Sequence, residues 1–388
     1  MFVEQITLAD FRNYVSAELQ PAREGVTLLQ GKNGAGKTNL LEAVAYLATL
    51  RSFRGAPAAL LVRSAQQQAV LRARADRAGR SLLVEAELNL VGRDRFRLNR
   101  QPLRRNDDVL GSVLVTVFSP DDIEVVKGGP QLRRDYLDDL LVSLRPKHHA
   151  ARAELERVLK QRNALLRSAN GALRPNMEGV LDVWDAKLAE VGETVAQERE
   201  ALVLSLRPEV DQAYSRLSTG ATGPAGPVDL SYERSWDGRL LDALHASRAE
   251  DVRRAVTSVG PQRDDLVIWV HGLAARTQAS QGEQRSVALA LRLGGHALVT
   301  DRQGTSPVLL LDDVFSELDP GRCAALASCL PDGQTLLTAA GPVPDVLPVV
   351  ERVQVCAGTV HLSPALSDGG PIERGAARGE GRGDGRSA

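Results

Sequence analysis

Cysteine is nearly missing from this chain of 388 residues. The three present, Cys323, Cys329 and Cys356, show no metal-ligand spacing and suggest no disulfide framework, so they read as reduced structural residues. Lysine is rare too: there are six, and two of them, Lys32 and Lys37, fall in one glycine-rich loop. The other basic residues are arginines, a bias most simply ascribed to genome composition. Neither sign of charge is in excess. A formal net charge of −1 excludes a protein coated in positive charge for general polyanion binding. If nucleic acid is bound, positive charge must be gathered on one face or created by assembly. No apolar run reaches the roughly 18 residues of a membrane span. The opening "MFVEQITLADFRNY" alternates like a strand and carries no signal-peptide pattern. A cytoplasmic protein is expected, and no internal repeat is visible.

What is there is ordinary for a globular protein, with 43% hydrophobic and 25% charged residues. The length allows two domains or one elaborate one. Residues 1–30 read as strands with a turn at Pro21 and Gly25, and "TNLLEAVAYLATL" at 38–50 has helical spacing. Residues 69–118 read as mostly β. Residues 131–214 read as two or three packed helices, clearest in 152–168 and 181–206, and too short for a coiled-coil arm. A Gly- and Pro-rich loop spans 218–229, and strands return at "VDLSYE" and "DLVIWV". The last twenty or so residues are rich in Gly and Arg without periodicity, with four arginines matched by four acids, and read as disordered.

One motif dominates. "GKNGAGKT" at 31–38 fits the phosphate-binding loop G-x-x-x-x-G-K-[ST], between an apolar strand and a helix. Gly31, Gly34 and Gly36 let successive backbone N–H groups of Gly31, Lys32, Asn33, Gly34, Ala35, Gly36, Lys37, Thr38 and Asn39 surround an anion. The helix N-terminus adds its positive end. Lys37 brings a full charge to the outer phosphates of ATP, and Thr38 offers a hydroxyl to Mg²⁺. Such a loop needs a second, carboxylate-bearing strand. "VLLLDD" at 308–313 supplies a continuous apolar run with acids at its carboxyl end. Asp312 is the candidate Mg²⁺ ligand, and Asp313 the candidate base for the water attacking the γ-phosphate.

A third element, "SQGEQ" at 280–284, matches the S-x-G-x-Q segment with which transporter-type and chromosome-maintenance ATPases dock on a nucleotide bound by a second subunit. Ser280 and Glu283 also form an S-x-x-E capping box, worth about 1 kcal/mol to the helix. Gly282 in the first turn argues for more than a cap, because glycine costs helix stability. Ser280, Gly282, Glu283 and Gln284 are therefore candidates for action in trans. Some 240 residues separate the loop from this segment, a gap filled by a β-rich and a helical insert.

The set resembles the RecF family of bacterial recombination mediators, whose ATPase head is like that of structural-maintenance-of-chromosomes proteins. The matching stretches are "LADFRNY" at 8–14, "GKNGAGKTNLLEA" at 31–43, "RSFR" at 51–54, "FSPDDIEVVKGGPQLRRDYLD" at 118–138, "GPQRDDL" at 260–266, "SQGEQR" at 280–285 and "LLLDDVFSELD" at 309–319. The resemblance implies an α/β fold: an ABC-type P-loop ATPase head with a β-rich subdomain and a helical second lobe, and no long coiled coil. It divides the chain into an ATPase lobe over 1–125, a mainly helical lobe over 126–279, a signature helix with the end of the ATPase core over 280–365, and a tail over 366–388. It implies an ATP-dependent homodimer that binds double-stranded DNA and gapped single-strand/double-strand junctions. That dimer would work with RecR and RecO to load RecA, and slow, DNA-stimulated hydrolysis would reset it.

By the same resemblance Arg12 reaches nucleotide phosphates. Arg95 and Arg97, on one face of a strand, are DNA contacts or a solvated outer face. Lys127, Arg133 and Arg134 are DNA contacts or structural pairs. Two departures stand out: Gln262 replaces the usual histidine of "GPHRDD", and Thr338 stands where related ATPases carry a switch histidine. The alternative, the nucleotide-binding subunit of a membrane transporter, shares the three motifs but lacks the long inserts and the "FRNY" segment.

Overall fold

A computed structural model describes residues 1–218 and 226–362. The tail read at 366–388, and most of the Gly- and Pro-rich loop, lie outside the described residues.

The centre is a six-stranded sheet. It combines β3 (Gly25–Gln30), β8 (Val115–Phe118), β12 (Val308–Asp312), β13 (Gln334–Ala339) and β14 (Val349–Cys356), all parallel, with antiparallel β15 (Thr359–Leu362) at the edge. Their order across the sheet is β15-β14-β3-β13-β12-β8. Every residue of β12 and β13 is buried, as expected for central parallel strands covered on both faces. Their side chains alternate between two cores. Leu309, Leu311 and Leu337 join one, and Val308, Leu310 and Leu336 the other. Register brings Asp312 beside Thr338, and Thr338 beside Leu29, one residue before the end of β3. The carboxyl ends of three strands thus meet at one edge.

A second sheet is antiparallel. Its strands are β1 (Phe2–Phe11), β2 (Tyr14–Leu19), β4 (Gln68–Arg77), β5 (Arg80–Asn89), β6 (Arg95–Leu98) and β7 (Gln101–Pro102), in the order β2-β1-β4-β5-β6-β7. Period-two alternation turns Ala69, Leu71, Ala73 and Ala75 inward. The helix α1 (Lys37–Thr49) lies between the two sheets and is buried almost all round, which explains its apolar character on every face.

Helices α2 (Ile123–Lys127), α3 (Pro130–Leu144), α4 (Lys147–Ser168), α5 (Pro175–Ser218) and α6 (Leu240–Arg254) follow, with a three-stranded antiparallel sheet β9 (Val228–Glu233), β10 (Asp265–Val270) and β11 (Leu273–Ala274). The stretch read as ending near Leu206 belongs to a single helix of 44 residues, about 66 Å long, that continues through Pro208. The proline leaves the Leu204 carbonyl without its helical donor, and Leu204 is exposed, so the cost falls on the solvent side.

Three further α-helices follow among the described residues: α7 (Ala275–Gln278), α8 (Gln281–Gln303) and α9 (Pro320–Cys329). Helix α8 packs along α5, and at Gly294 a Cβ would stand 2.9 Å from the Val210 backbone nitrogen. The absent side chain is what lets these two helices approach.

Arginine proves to be a building material of the helical region. Arg162 is fully buried and binds Asp185 and Asp251, each at 2.7 Å. Arg199 grips Asp138 through Nε and Nη2 at 2.7 and 2.8 Å, and against the penalty of burial the hydrogen bonds with His148 and Arg199 hold its carboxyl well below the usual range.

Candidate nucleotide site

The loop between β3 and α1 is shaped by glycine where the backbone demands it. Gly34 and Gly36 have φ of 79° and 116°. A Cβ on Gly36 would stand 2.7–2.8 Å from the Asn13 amide and the Tyr14 hydroxyl, and one on Gly31 would run into the Val355 carbonyl. The Lys37 ammonium lies within the loop, donating to the carbonyls of Gly31 at 2.8 Å and Lys32 at 3.2 Å.

The loop is gripped from behind by the hairpin turn between β1 and β2. Asn13 Nδ2 donates to the Ala35 carbonyl at 2.9 Å, and Asn39 Nδ2 donates to Asn13 Oδ1 at 2.8 Å. The Tyr14 hydroxyl donates to the Gly36 carbonyl at 2.9 Å. Arg12, expected at the phosphates, is engaged with α1. Its Nε and Nη2 donate to Glu42 at 2.8 and 2.7 Å, and its Nη1 to the Leu60 carbonyl at 3.2 Å. Glu42 is fully buried and also accepts from the Ser52 hydroxyl, so removing Arg12 would take away its cationic partner. It is a brace for α1.

At the strand ends, one oxygen gathers the site. Asp312 Oδ1 accepts from Thr38 Oγ1 at 2.7 Å and from Thr338 Oγ1 at 2.8 Å. Thr338 also accepts the Asp313 N–H at 2.9 Å, so it fixes both acids. Burial pushes the Asp312 carboxyl above its ordinary range, the penalty of a charge kept from water. Asp313 turns into the left-handed region at φ 50°, a conformation Asp tolerates better than most residues. An all-oxygen set of Thr38 and Asp312, beside an anion cradle and a lysine, suits a hard divalent cation and a nucleotide phosphate together.

Residues that had no assigned role also stand here. Arg54, in the "RSFR" segment, donates to Asn39 Oδ1 at 3.3 Å, and its charge acts on the Asp312 carboxyl. Asn13 and Tyr14 are visible in the sequence only as parts of "FRNY"; their job depends on a tertiary contact that no local pattern encodes.

The signature residues divide. Ser280 caps α8: its N–H and hydroxyl donate to Glu283 Oε2 at 2.8 and 2.7 Å, and its Oγ accepts the Glu283 N–H at 3.3 Å. These bonds keep the Glu283 carboxyl ionised below its usual range. Ser280 is exposed. Gln284 is buried and donates to the carbonyls of Ala275 and Arg276 at 3.1 and 3.3 Å, fixing the preceding turn.

The basic candidates divide as well. Arg95 and Arg97 are exposed on the outer face of β6. Lys127 is exposed and pairs with Glu124 at 2.9 Å. Arg133 and Arg134, read as DNA contacts or structural pairs, are both engaged in structural pairs. Arg133, 3% exposed, binds both oxygens of Asp265 at 2.7 and 2.8 Å, and Arg134, 8% exposed, donates to the Asp264 carbonyl at 2.6 Å. They join α3 to β10. Gln262, in the same segment, donates to the Val259 carbonyl at 2.8 Å, a local turn contact.

A phosphate loop at the end of one parallel strand, an acid at the end of a strand two places away and a capped S-x-G helix define an ATPase head of the structural-maintenance-of-chromosomes type. The family model described as RecF/RecN/SMC N terminal domain matches residues 2–337. The chain belongs to the RecF family of DNA replication and repair proteins. It is 42% identical to the DNA replication and repair protein RecF of Streptomyces avermitilis, over 93% of this chain and all of that protein. It is 45% identical to that of Frankia alni, over 88% and 93%. Among solved structures, the recombination mediator protein RecF with ATP, of the RecFOR pathway, matches with a TM-score of 0.84 at 28% identity, covering 94% of this chain and 98% of that one. An Smc head domain from Pyrococcus furiosus shares the fold, with a TM-score of 0.51 at 13% identity over 93% and 96%. Among the described residues no helix is long and apolar enough to cross a membrane.

Proposed function

We propose that this chain is an ATP-gated DNA clamp that acts in pairs. The carrying observation is the division of the site. The phosphate cradle and the acids are assembled on one edge, while Ser280 and Glu283 are exposed or half-exposed and bond to each other, with no bond of theirs to the loop. Two copies facing head to tail would join each cradle to the other copy's Ser280 and Gly282. ATP would then favour the pair because it binds the pair better than the separate chains.

Within each site Lys37 would exchange loop carbonyls for phosphate oxygens. Thr38 and Asp312 would hold Mg²⁺, which when bound supplies charge neutralisation at the phosphates. Asp312 would then be fully ionised, since the cation offsets the burial that raises its pKa. Asp313, held by Thr338 through its N–H, would accept the proton of the attacking water.

For DNA, pairing would bring two modest basic faces together and meet the difficulty of a net charge of −1. Arg95 and Arg97 stand on the solvent face of the antiparallel sheet. Arg97 follows Glu85 and Arg72 in one cross-strand row, and Arg74 lies nearby on β4. Contacts would be mainly to phosphates, so binding should weaken steeply with salt. Lys127 is a further candidate. The relatives' place in the RecFOR pathway supports RecR and RecO as partners and RecA loading at gapped junctions as the outcome.

The test is ATP turnover with no DNA, single strands, duplex and gapped duplex. Stimulation by duplex-containing forms is expected. A flat response across all forms would overturn the clamp and favour a transporter-type motor.

A further inference from the structure

Gly282 is short of a side chain for a reason visible inside the single chain. The Arg322 guanidinium, from α9, lies directly over it: a Cβ there would stand 2.6 Å from Nη2 and 2.9 Å from both Cζ and Nη1. Arg322 is anchored at its other edges. Nη1 donates to Asp319 Oδ2 at 2.6 Å, Nε to Ser286 Oγ at 3.2 Å, and the Arg322 N–H to Asp319 Oδ1 at 3.0 Å. The Asp319 side chain is half exposed, so this ion pair is screened and worth little. Nη2 faces the glycine.

The position makes an electrostatic demand. An anion approaching Ser280 and Gly282 meets the ionised Glu283 carboxylate. The helix dipole alone, carrying about half a charge, is a weak offset. Beside His271, whose Nε2 lies 3.5 Å from Glu283 Oε1, a guanidinium already seated on the glycine supplies a permanent cation, in the forked geometry that suits phosphate.

We propose that Arg322 receives the terminal phosphate of the partner copy's nucleotide, giving up Asp319 for it. This rests on the two-copy reading above. In the lone chain Asp319 holds Arg322 over Gly282 as a placeholder, so the signature turn stays neutralised until the phosphate arrives. The exchange breaks a weak exposed pair and forms a charge-assisted bond between copies, so it adds to assembly without altering the cradle that binds nucleotide first.

The experiment measures the dimer dissociation constant by light scattering of the full chain, with a slowly hydrolysed ATP analogue and with ADP. Nucleotide affinity of the monomer is measured beside it. Arg322→Gln should weaken the ATP-dependent dimer by about tenfold or more, with monomer affinity within about twofold. Arg322→Lys should recover part of the loss. Asp319→Asn keeps the helix cap and removes the competitor, so it should tighten the dimer by about threefold. If Arg322 merely staples α8 to α9, Asp319→Asn weakens the dimer in parallel with Arg322→Gln, and the proposal fails. It also fails if Arg322→Gln dimerises like the wild type. A wild-type chain that does not dimerise on ATP sinks the two-copy reading itself.

Discussion

His296 sets an acid limit on the helix that carries the signature turn. Its ring is 2% exposed, on the inner face of α8, with Nδ1 3.0 Å from Thr116 Oγ1 and Nε2 3.0 Å from Ser306 Oγ. Both partners are hydroxyls, which satisfy a neutral ring and supply no negative charge to a protonated one. Burial pushes its pKa down from 6.5 to about 4. The unfolded chain therefore takes up a proton at His296 before the folded one does, and stability falls as pH drops from about 6.5 toward 4. Each unit of difference is worth about 1.4 kcal/mol; at pH 5 the loss reaches about 2 kcal/mol, and at pH 7.5 it is close to zero. His296→Gln keeps a hydrogen-bonding side chain and cannot titrate. Urea midpoints followed by tryptophan fluorescence at pH 7.5 and pH 5 should show the wild type losing about 2 kcal/mol more than the variant. Equal acid losses in the two proteins would mean that His296 is protonated in the fold, and the reasoning from its hydroxyl partners would be wrong.

Other outcomes follow from the site and its scaffold. Thr338→Val removes the hydroxyl that fixes both acids, so turnover should drop by about tenfold with nucleotide affinity nearly unchanged; single-turnover hydrolysis beside equilibrium binding separates the two. Arg133→Met should destabilise the fold by about 2 kcal/mol, less than a fully buried pair because Asp265 is partly exposed. It should leave the salt dependence of DNA binding unaltered, since its side chain is buried. Replacing Arg95 and Arg97 together by Ala should reduce the slope of log affinity against log salt by about 0.9 for each DNA phosphate that is no longer neutralised. An unchanged slope would assign the pair to a solvated face.

Much of the chemistry is legible in the sequence because it is local. The phosphate loop requires its glycines, lysine and threonine in one run, and the buried acidic strand declares itself by four apolar residues before two acids. What escapes is non-local. Arg12, Arg133 and Arg134 are charged residues in conspicuous motifs, and a sequence does not show that a carboxylate distant in the chain is waiting for Arg12 and for Arg133, or a distant backbone carbonyl for Arg134. Gln284 looks like part of a binding segment because it completes the "SQGEQ" run; the helix turns it inward. Pro208 discourages extension of α5, yet tertiary packing along α8 outweighs one missing hydrogen bond. Gly282 is the subtler case. Its lack of a side chain does signal room for something charged, and the occupant seen in the chain is a guanidinium.

The hairpin behind the phosphate loop has a mechanical consequence. Asn13 and Tyr14 are welded to the loop backbone while Arg12 is bolted to α1, and the same hairpin forms one side of the sheet whose β6, near the opposite edge, carries Arg95 and Arg97. Loop and sheet are therefore two ends of one stiff plate. A load laid on the outer strands would reach the phosphate loop through this hairpin, and a loop tightened on its ligand would stiffen the plate in return.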